Sequence, residues 1–258
     1  MSRFTLRVLP LACFVLALPQ VVSAQQAPPS GYTFVAEWNV PRDKWPEAST
    51  FFDKGLRPIH ERLVADGTLV DYGVFETIVH DASENGYTHG VWWSSTSYAG
   101  IEKARAEALK VTPAPALSAA KHHDYLLRTQ VSKYKAGSGT GGYLRVNSSV
   151  VKPGKGGAWR ALWDKYNKPV YDELVANGTL SLYAVQTEFV VTLDPGTRMV
   201  VTVTPNAEGV DKVGAALAAA AAKRTPEERD AITAAFADVL VAGANRSYMA
   251  RVNSYSAK

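Results

Sequence analysis

Pro58-Ile-His-Glu-Arg-Leu-Val-Ala-Asp-Gly-Thr-Leu69 recurs 111 residues later as Pro169-Val-Tyr-Asp-Glu-Leu-Val-Ala-Asn-Gly-Thr-Leu180. The same offset pairs Tyr32 with Tyr143, Val35 with Val146, Asp53 with Asp164, Lys54 with Lys165 and Tyr72 with Tyr183. After a two-residue difference in one hairpin, Val91 pairs with Val200, Gly100 with Gly209 and Lys103 with Lys212. Tyr125 and Arg128 match Tyr248 and Arg251 near the two ends. Matches kept in order over a whole unit predict two copies of one module of about a hundred residues, a size that can hold its own core. The first copy is placed at 31–135 and the second at 143–258, with Gly137-Ser-Gly-Thr-Gly-Gly142 in a Gly/Ser linker over 136–142. That linker contains Gly137-x-Gly139-x-x-Gly142, but a strand follows it and no helix, so nothing there would seat a pyrophosphate; it reads as flexible.

Each copy begins with a strand, Tyr32 to Val40 and Tyr143 to Val151, followed by a helix. Phe52, Leu56, Ile59 and Leu63, and then Trp159, Trp163, Val170 and Leu174, recur at steps of three, four and seven, which places each set on one buried stripe. Asp66-Gly67 and Asn177-Gly178 end these helices, since glycine accepts the left-handed turn after the cap. Pro58 and Pro169 remove a backbone donor inside them and should bend the axis. Two strands joined by a turn come next, Thr68 to His80 with Thr88 to Ser95, and Thr179 to Leu193 with Thr197 to Thr204. Further helices start near Ala99 and Glu208, and Thr225-Pro226-Glu-Glu228 spells a capped start. Tyr125 to Tyr134 and Tyr248 to Tyr255 close the two units.

The order β-α-β-β-α-β is the ferredoxin-like plan, an α+β class in which helices cover one face of an antiparallel sheet. The bare face needs a cover, and a second unit supplies one. On the segments Asp66-Gly-Thr-Leu-Val-Asp-Tyr72 and Asn177-Gly-Thr-Leu-Ser-Leu-Tyr183, the chain resembles the dimeric α+β-barrel superfamily in its fused form, over most of 31–258. The resemblance implies two tandem units packed sheet to sheet as an intramolecular pseudo-dimer. It identifies no specific functional family, because that superfamily includes quinone-forming monooxygenases, haem-degrading enzymes, haem peroxidases, chlorite dismutases and isomerases.

Ahead of the repeat, Arg3 and Arg7, the apolar run Leu9 to Leu18 and the small residues Val22-Ser23-Ala24 spell a secretory signal peptide over 1–24. Its removal would leave 26 basic against 24 acidic residues, since Arg3 and Arg7 leave a total of 28. A charge of +2 without a dense basic block argues against nucleic acid as a partner. Cys13 is the only cysteine and lies within this segment, so the exported protein would have no disulfide, no covalently attached haem and no Fe–S cluster. No later run is long and apolar enough for a membrane span. The expected location is periplasmic or extracellular.

Duplication also sorts candidate site residues. Those shared by both copies are first read as structural, and polar residues found in only one are candidates for a site. All five histidines fall in the first copy. His60, opposite Tyr171, is a candidate general base or haem ligand at the edge of the first helix stripe. Glu76, His80 and His89 span one hairpin and are a candidate two-histidine, one-carboxylate metal set. His122-His123-Asp124 reads as a helix-end group satisfying free carbonyls. Trp92 and Trp93 point to opposite sheet faces and replace the smaller Val201 and Thr202. With Trp38 and Tyr72 they are candidates for an aromatic-lined pocket suited to a small, flat apolar molecule. The sequence therefore points to an exported small-molecule-binding or accessory protein. A monooxygenase-like or haem-dependent oxidoreductase and a ligand-free structural module are its alternatives.

Overall fold

The computed structural model describes residues 31–79 and 86–258. The signal segment expected at 1–24 and the candidate ligand His80 lie outside the described residues.

The first half runs β1 (Gly31–Asn39), α1 (Trp45–Thr50), α2 (Arg57–Ala65), β2 (Asp71–Thr77), β3 (His89–Ser95), α3 (Tyr98–Ala108), α4 (Pro115–Ser118) and β4 (Lys121–Tyr134). A short β5 (Gly137–Gly139) leads to the second half. That half runs β6 (Gly142–Val150), α5 (Gly156–Tyr166), α6 (Lys168–Ala176), β7 (Leu182–Glu188), β8 (Thr197–Thr204), α7 (Ala207–Ala222), α8 (Pro226–Val239) and β9 (Arg246–Ala257). The antiparallel strands lie in the order β2-β3-β1-β4-β7-β8-β6-β9, and β9 pairs back onto β2, so eight strands close on themselves. Closure removes the sheet edges that would otherwise recruit other chains.

The long strands β4 and β9 join the halves. β4 pairs with β1 through 121–129 and with β7 through 127–134, shifting register between Thr129 and Val131. β9 pairs with β6 and then with β2, shifting between Val74 and Phe75. Gly137–Gly139, expected within a flexible linker, instead pair with Tyr255, Ser256 and Ala257 as strand β5. Beyond Val252, where its pairing with β6 ends, β9 gives these glycines a hydrogen-bonding partner that the sequence did not show.

Local chemistry sets the element ends. Gly67 and Gly178 both adopt φ +79°, and the preceding Asp66 and Asn177 side chains accept hydrogen bonds from Thr68 N (2.9 Å) and Thr179 N (3.0 Å). Ser97 and Asn206 cap α3 and α7 by accepting from Gly100 N and Gly209 N. Thr225 and Glu228 complete a reciprocal capping box on α8. The two prolines act by interruption. Pro58 is the second residue of α2, after a π-helical turn over Phe51–Leu56, and Pro169 is the second residue of α6, after a break at Asn167.

Three apolar clusters follow from strand alternation. Phe52, Leu56 and Leu63 pack on Tyr72, Val91 and Trp93 outside the barrel in the first half. Trp159, Trp163 and Leu174 pack on Tyr183 and Val185 in the second. The third cluster lies inside the barrel, where Phe75, Trp92 and Leu127 meet Leu144, Val146, Met199 and Val252.

Candidate functional site

A cavity of about 1490 Å³ occupies the barrel interior, with walls drawn from both halves. Its volume exceeds that of most small-molecule pockets, which span roughly 300–1,000 Å³. The inward-facing residues of β1, alternating along the strand, are Thr33, Val35 and Glu37. Glu37 is 5% exposed. The Tyr248 hydroxyl donates to its Oε1 at 3.2 Å, and Tyr125 adds a second side-chain hydrogen bond. Burial pushes the Glu37 carboxyl up to about 7 against these two bonds, so it exchanges a proton near neutrality. Burial and the Glu37 charge in turn raise the Tyr125 and Tyr248 hydroxyls, which stay protonated donors.

A second carboxyl lies toward the opposite end. Asp71 Oδ1 accepts from Trp92 Nε1 at 2.8 Å and from Ser94 Oγ at 3.0 Å, while burial raises its pKa to about 6. Ser94 Oγ is 2.9 Å from Thr33 Oγ1, and Gln186 Nε2 donates to Thr33 Oγ1 at 2.8 Å from β7, two strands away past β4. Since Asp71 pairs with Ser94, Ser94 with Thr33, and Thr33 lies four residues before Glu37, the carboxyls are separated by about 13 Å of strand. Facing this polar seam, the second half presents Leu144, Val146, Leu182, Met199 and Val201.

The sequence candidates are distributed differently. Trp92 lines the cavity, as strand alternation implies. Trp93, Trp38 and Tyr72 belong instead to the cluster between the helices and the first-half sheet. Trp93 stacks on Phe34 at 4.8 Å, and Trp38 lies against Phe52 and His122. The four aromatics thus do not share one pocket, because neighbouring positions on a strand face opposite sides of the sheet.

His60 is fully buried in that outer layer, with ring centroids 5.4 Å from Tyr72 and 5.0 Å from Trp93. Neither ring nitrogen has a hydrogen-bond partner, and burial lowers its pKa to about 4, so it is neutral at pH 7. A haem coordinated by His60 would need the space now filled by Tyr72 and Trp93, so these residues do not fit that group.

His89 is also buried. Its Nδ1 lies 2.9 Å from Thr88 Oγ1 and its Nε2 3.8 Å from Glu76 Oε2. The hairpin thus brings Glu76 and His89 together, and among the described residues no group of three or more His, Cys, Asp or Glu is arranged to hold a metal ion. His122 and His123 lie on β4, which begins at Lys121, and not at a helix end. His122 Nε2 pairs with Asp124 Oδ1 at 2.8 Å, and His123 Nε2 is 3.2 Å from Thr192 Oγ1. Strand pairing with β1 extends four residues earlier than Tyr125, which corrects the helix-end reading.

Glu37 and Asp71 escaped the sequence reading. The one-copy rule applied to histidines marks them equally well, because the 111-residue offset places Ser148 and Leu182 opposite them.

No family model and no curated protein matches the sequence. Solved structures do match the fold. A protein from Lactobacillus acidophilus NCFM, described as a candidate monooxygenase, aligns with a TM-score of 0.61 at 11% identity, covering 88% of this chain and 96% of its own. The chain has the fold of the dimeric α+β barrels. Another such barrel, a candidate monooxygenase from Fusobacterium nucleatum, aligns at 0.56 and 10% identity over 89% and 95% of the two chains. An anthrone oxidase-like barrel aligns at 0.51 and 12% identity over 88% and 93%. At these identities the likeness concerns the fold.

Proposed function

We propose that this chain is an exported small-molecule-binding protein whose site is the barrel interior, built by two tandem ferredoxin-like units acting as an intramolecular pseudo-dimer. The cavity carries this reading: about 1490 Å³, one apolar wall, and a seam of buried and half-buried polar groups that ends in Glu37 and Asp71. Apolar walls with a few convergent polar groups and perturbed carboxyls are the usual composition of a ligand site. The tandem organisation is supported by the order β-α-β-β-α-β occurring twice and by the paired turns at Gly67 and Gly178. Export rests on the pattern of Arg3, Arg7, Leu9 to Leu18 and Val22-Ser23-Ala24.

The occupant is a flat, largely apolar molecule with at least one polar group, matched to Trp92 and Phe75 on one wall and Met199 and Val201 on the other. Calorimetric titration with 1-naphthylmethanol tests the site. One saturable site per chain is expected, lost when Ala184→Phe fills the inner wall. Absence of binding, or binding unchanged by Ala184→Phe in a folded variant, favours the ligand-free structural reading. The barrels named as candidate monooxygenases share the architecture, and an oxygenase reading would in addition require turnover of the bound molecule.

A further inference from the structure

Among the described residues, no cationic side chain is paired with either interior carboxyl. Glu37 is perturbed by burial and by two tyrosine hydroxyls, and Asp71 by burial, Ser94 and Trp92; among the described residues no basic side chain adds to either shift. The basic residues at the cavity rim are engaged elsewhere. Arg246 Nη1 donates to the carbonyls of Gly243 and Asn245, and Lys133 pairs with Asp172 at 3.6 Å. A carboxylate held in a mostly apolar space without a cation is costly, and an incoming positive charge relieves that cost. Around Glu37, the rings of Tyr87, Tyr125 and Tyr248 add the aromatic surface that attracts organic cations. An anionic ligand would meet two acidic groups inside the cavity, where the basic Lys133 and Arg246 stand only at the rim.

We infer that the barrel interior binds an organic ammonium ion, its charged head held by Glu37 beside the hydroxyls of Tyr125 and Tyr248, its apolar body against Leu144, Val146 and Met199. This rests on the reading of the cavity as a ligand site and names the chemical class of the ligand. Asp71 already receives two hydrogen bonds and lies two strands over and about 13 Å further along the strand direction, so it contributes less to the ammonium head. Among the described residues, the groups facing Glu37 that titrate or carry charge are Tyr125 and His123 from β4, Tyr87 ahead of β3, and Tyr248 and Arg246 from β9, with Glu188 acting on Tyr125 from β7. Ammonium binding favours the Glu37 carboxylate, so it expels the proton that a carboxyl with a pKa of about 7 carries at lower pH.

Three isosteric naphthalenes test the inference on the full barrel: 1-naphthylmethylammonium, neutral 1-naphthylmethanol and anionic 1-naphthoate. The ammonium should bind about tenfold more tightly than the alcohol, and the naphthoate most weakly. Glu37→Gln should reduce ammonium affinity about tenfold and abolish the preference for the ammonium over the alcohol. In the wild type, ammonium affinity should rise nearly tenfold from about pH 6 to pH 8 while the alcohol stays level, and His123→Gln should keep that rise. Equal binding of ammonium and alcohol, a preference for naphthoate, or a flat pH profile overturns the inference. The pH profile needs no variant and decides the matter if Glu37→Gln does not fold. If none of the three compounds binds, the cavity reading itself fails, which is a different result from binding without charge preference.

Discussion

Thr33, Asp71, Ser94 and Thr129 face the barrel interior from the first half, while the matching positions in the second half hold Leu144, Leu182, Val203 and Val252. Glu37 faces it opposite Ser148 in the same alignment. Similar strands thus carry a polar wall on one side and an apolar wall on the other. Gln186 reverses the trend, standing where the first half has Phe75, and it donates past β4 into the polar seam. Outside the barrel the halves differ in a second way. The first packs Phe52, His60, Tyr72 and Trp93 where the second packs Trp163, Tyr171, Tyr183 and Thr202. Trp163 stacks on Tyr171 at 5.9 Å, whereas His60 fits between Tyr72 and Trp93. Outside the barrel the exchange is mainly one of volume, and inside it polarity changes as well. A core accepts the first change while total packing is kept; the second costs stability unless the polar groups have a task.

The largest effect that can break this comparison is at Glu37. Its carboxyl holds a proton more tightly in the fold than in the unfolded chain, with a pKa of about 7 against 4.5. The stability it contributes is therefore full below about pH 4.5 and is lost as the pH rises through 7. Relative to the wild type, Glu37→Gln should gain up to about 3 kcal/mol between pH 4.5 and pH 8, read from urea midpoints. A constant difference across that range would show that the first-half wall carries no uncompensated carboxylate.

His60 gives the next effect, with the opposite sign. Its pKa falls from 6.5 to about 4, so the fold resists protonation and stability drops as pH falls from 6.5 through 4. His60→Phe, an aromatic residue without a titrating nitrogen, should be more stable than the wild type, and its advantage should widen by about 2 kcal/mol between pH 7 and pH 5. If the advantage does not widen, the His60 side chain reaches water and the outer layers of the two halves are less alike than described.

The smallest effect concerns the interior exchange of volume. A Cβ on Gly73 would come within 1.9 Å of the Trp92 ring, whereas the second half has Ala184 and Val201 at these positions. Gly73→Ala alone should destabilise by about 2 kcal/mol. Combined with Trp92→Val, it should cost at least about 1 kcal/mol less than the sum of the two single changes. Additive costs would mean that Gly73 does not make room for Trp92.

The fold was largely legible because the repeat supplied the element order twice and the Asp66-Gly67 and Asn177-Gly178 signals fixed the helix ends. Alternation likewise separated Trp92 from Trp93. The site was less legible for three physical reasons. Sequence assigned no strand to 137–139, because pairing with β9 is a long-range contact. It gathered Trp38, Tyr72, Trp92 and Trp93 by residue type, although a sheet separates Trp92 from the other three. It also favoured histidines over carboxyls, although His60 is sealed among rings while Glu37 gains its near-neutral pKa from burial inside a barrel that only tertiary closure creates. Among the described residues no helix is long and apolar enough to cross a membrane.

The central claim, that a small molecule enters the barrel between two unlike walls, is tested most directly by methyl-carbon NMR of the methionines. Met199 lines the cavity, whereas the neighbouring Tyr248 faces inward and turns Met249 to the other side of β9. With Met199→Leu used to assign the signals, adding 1-naphthylmethanol should shift the Met199 methyl by ring current and leave Met249 in place. A saturable shift at Met249 alone, or a still Met199 signal while the compound binds, would contradict the account.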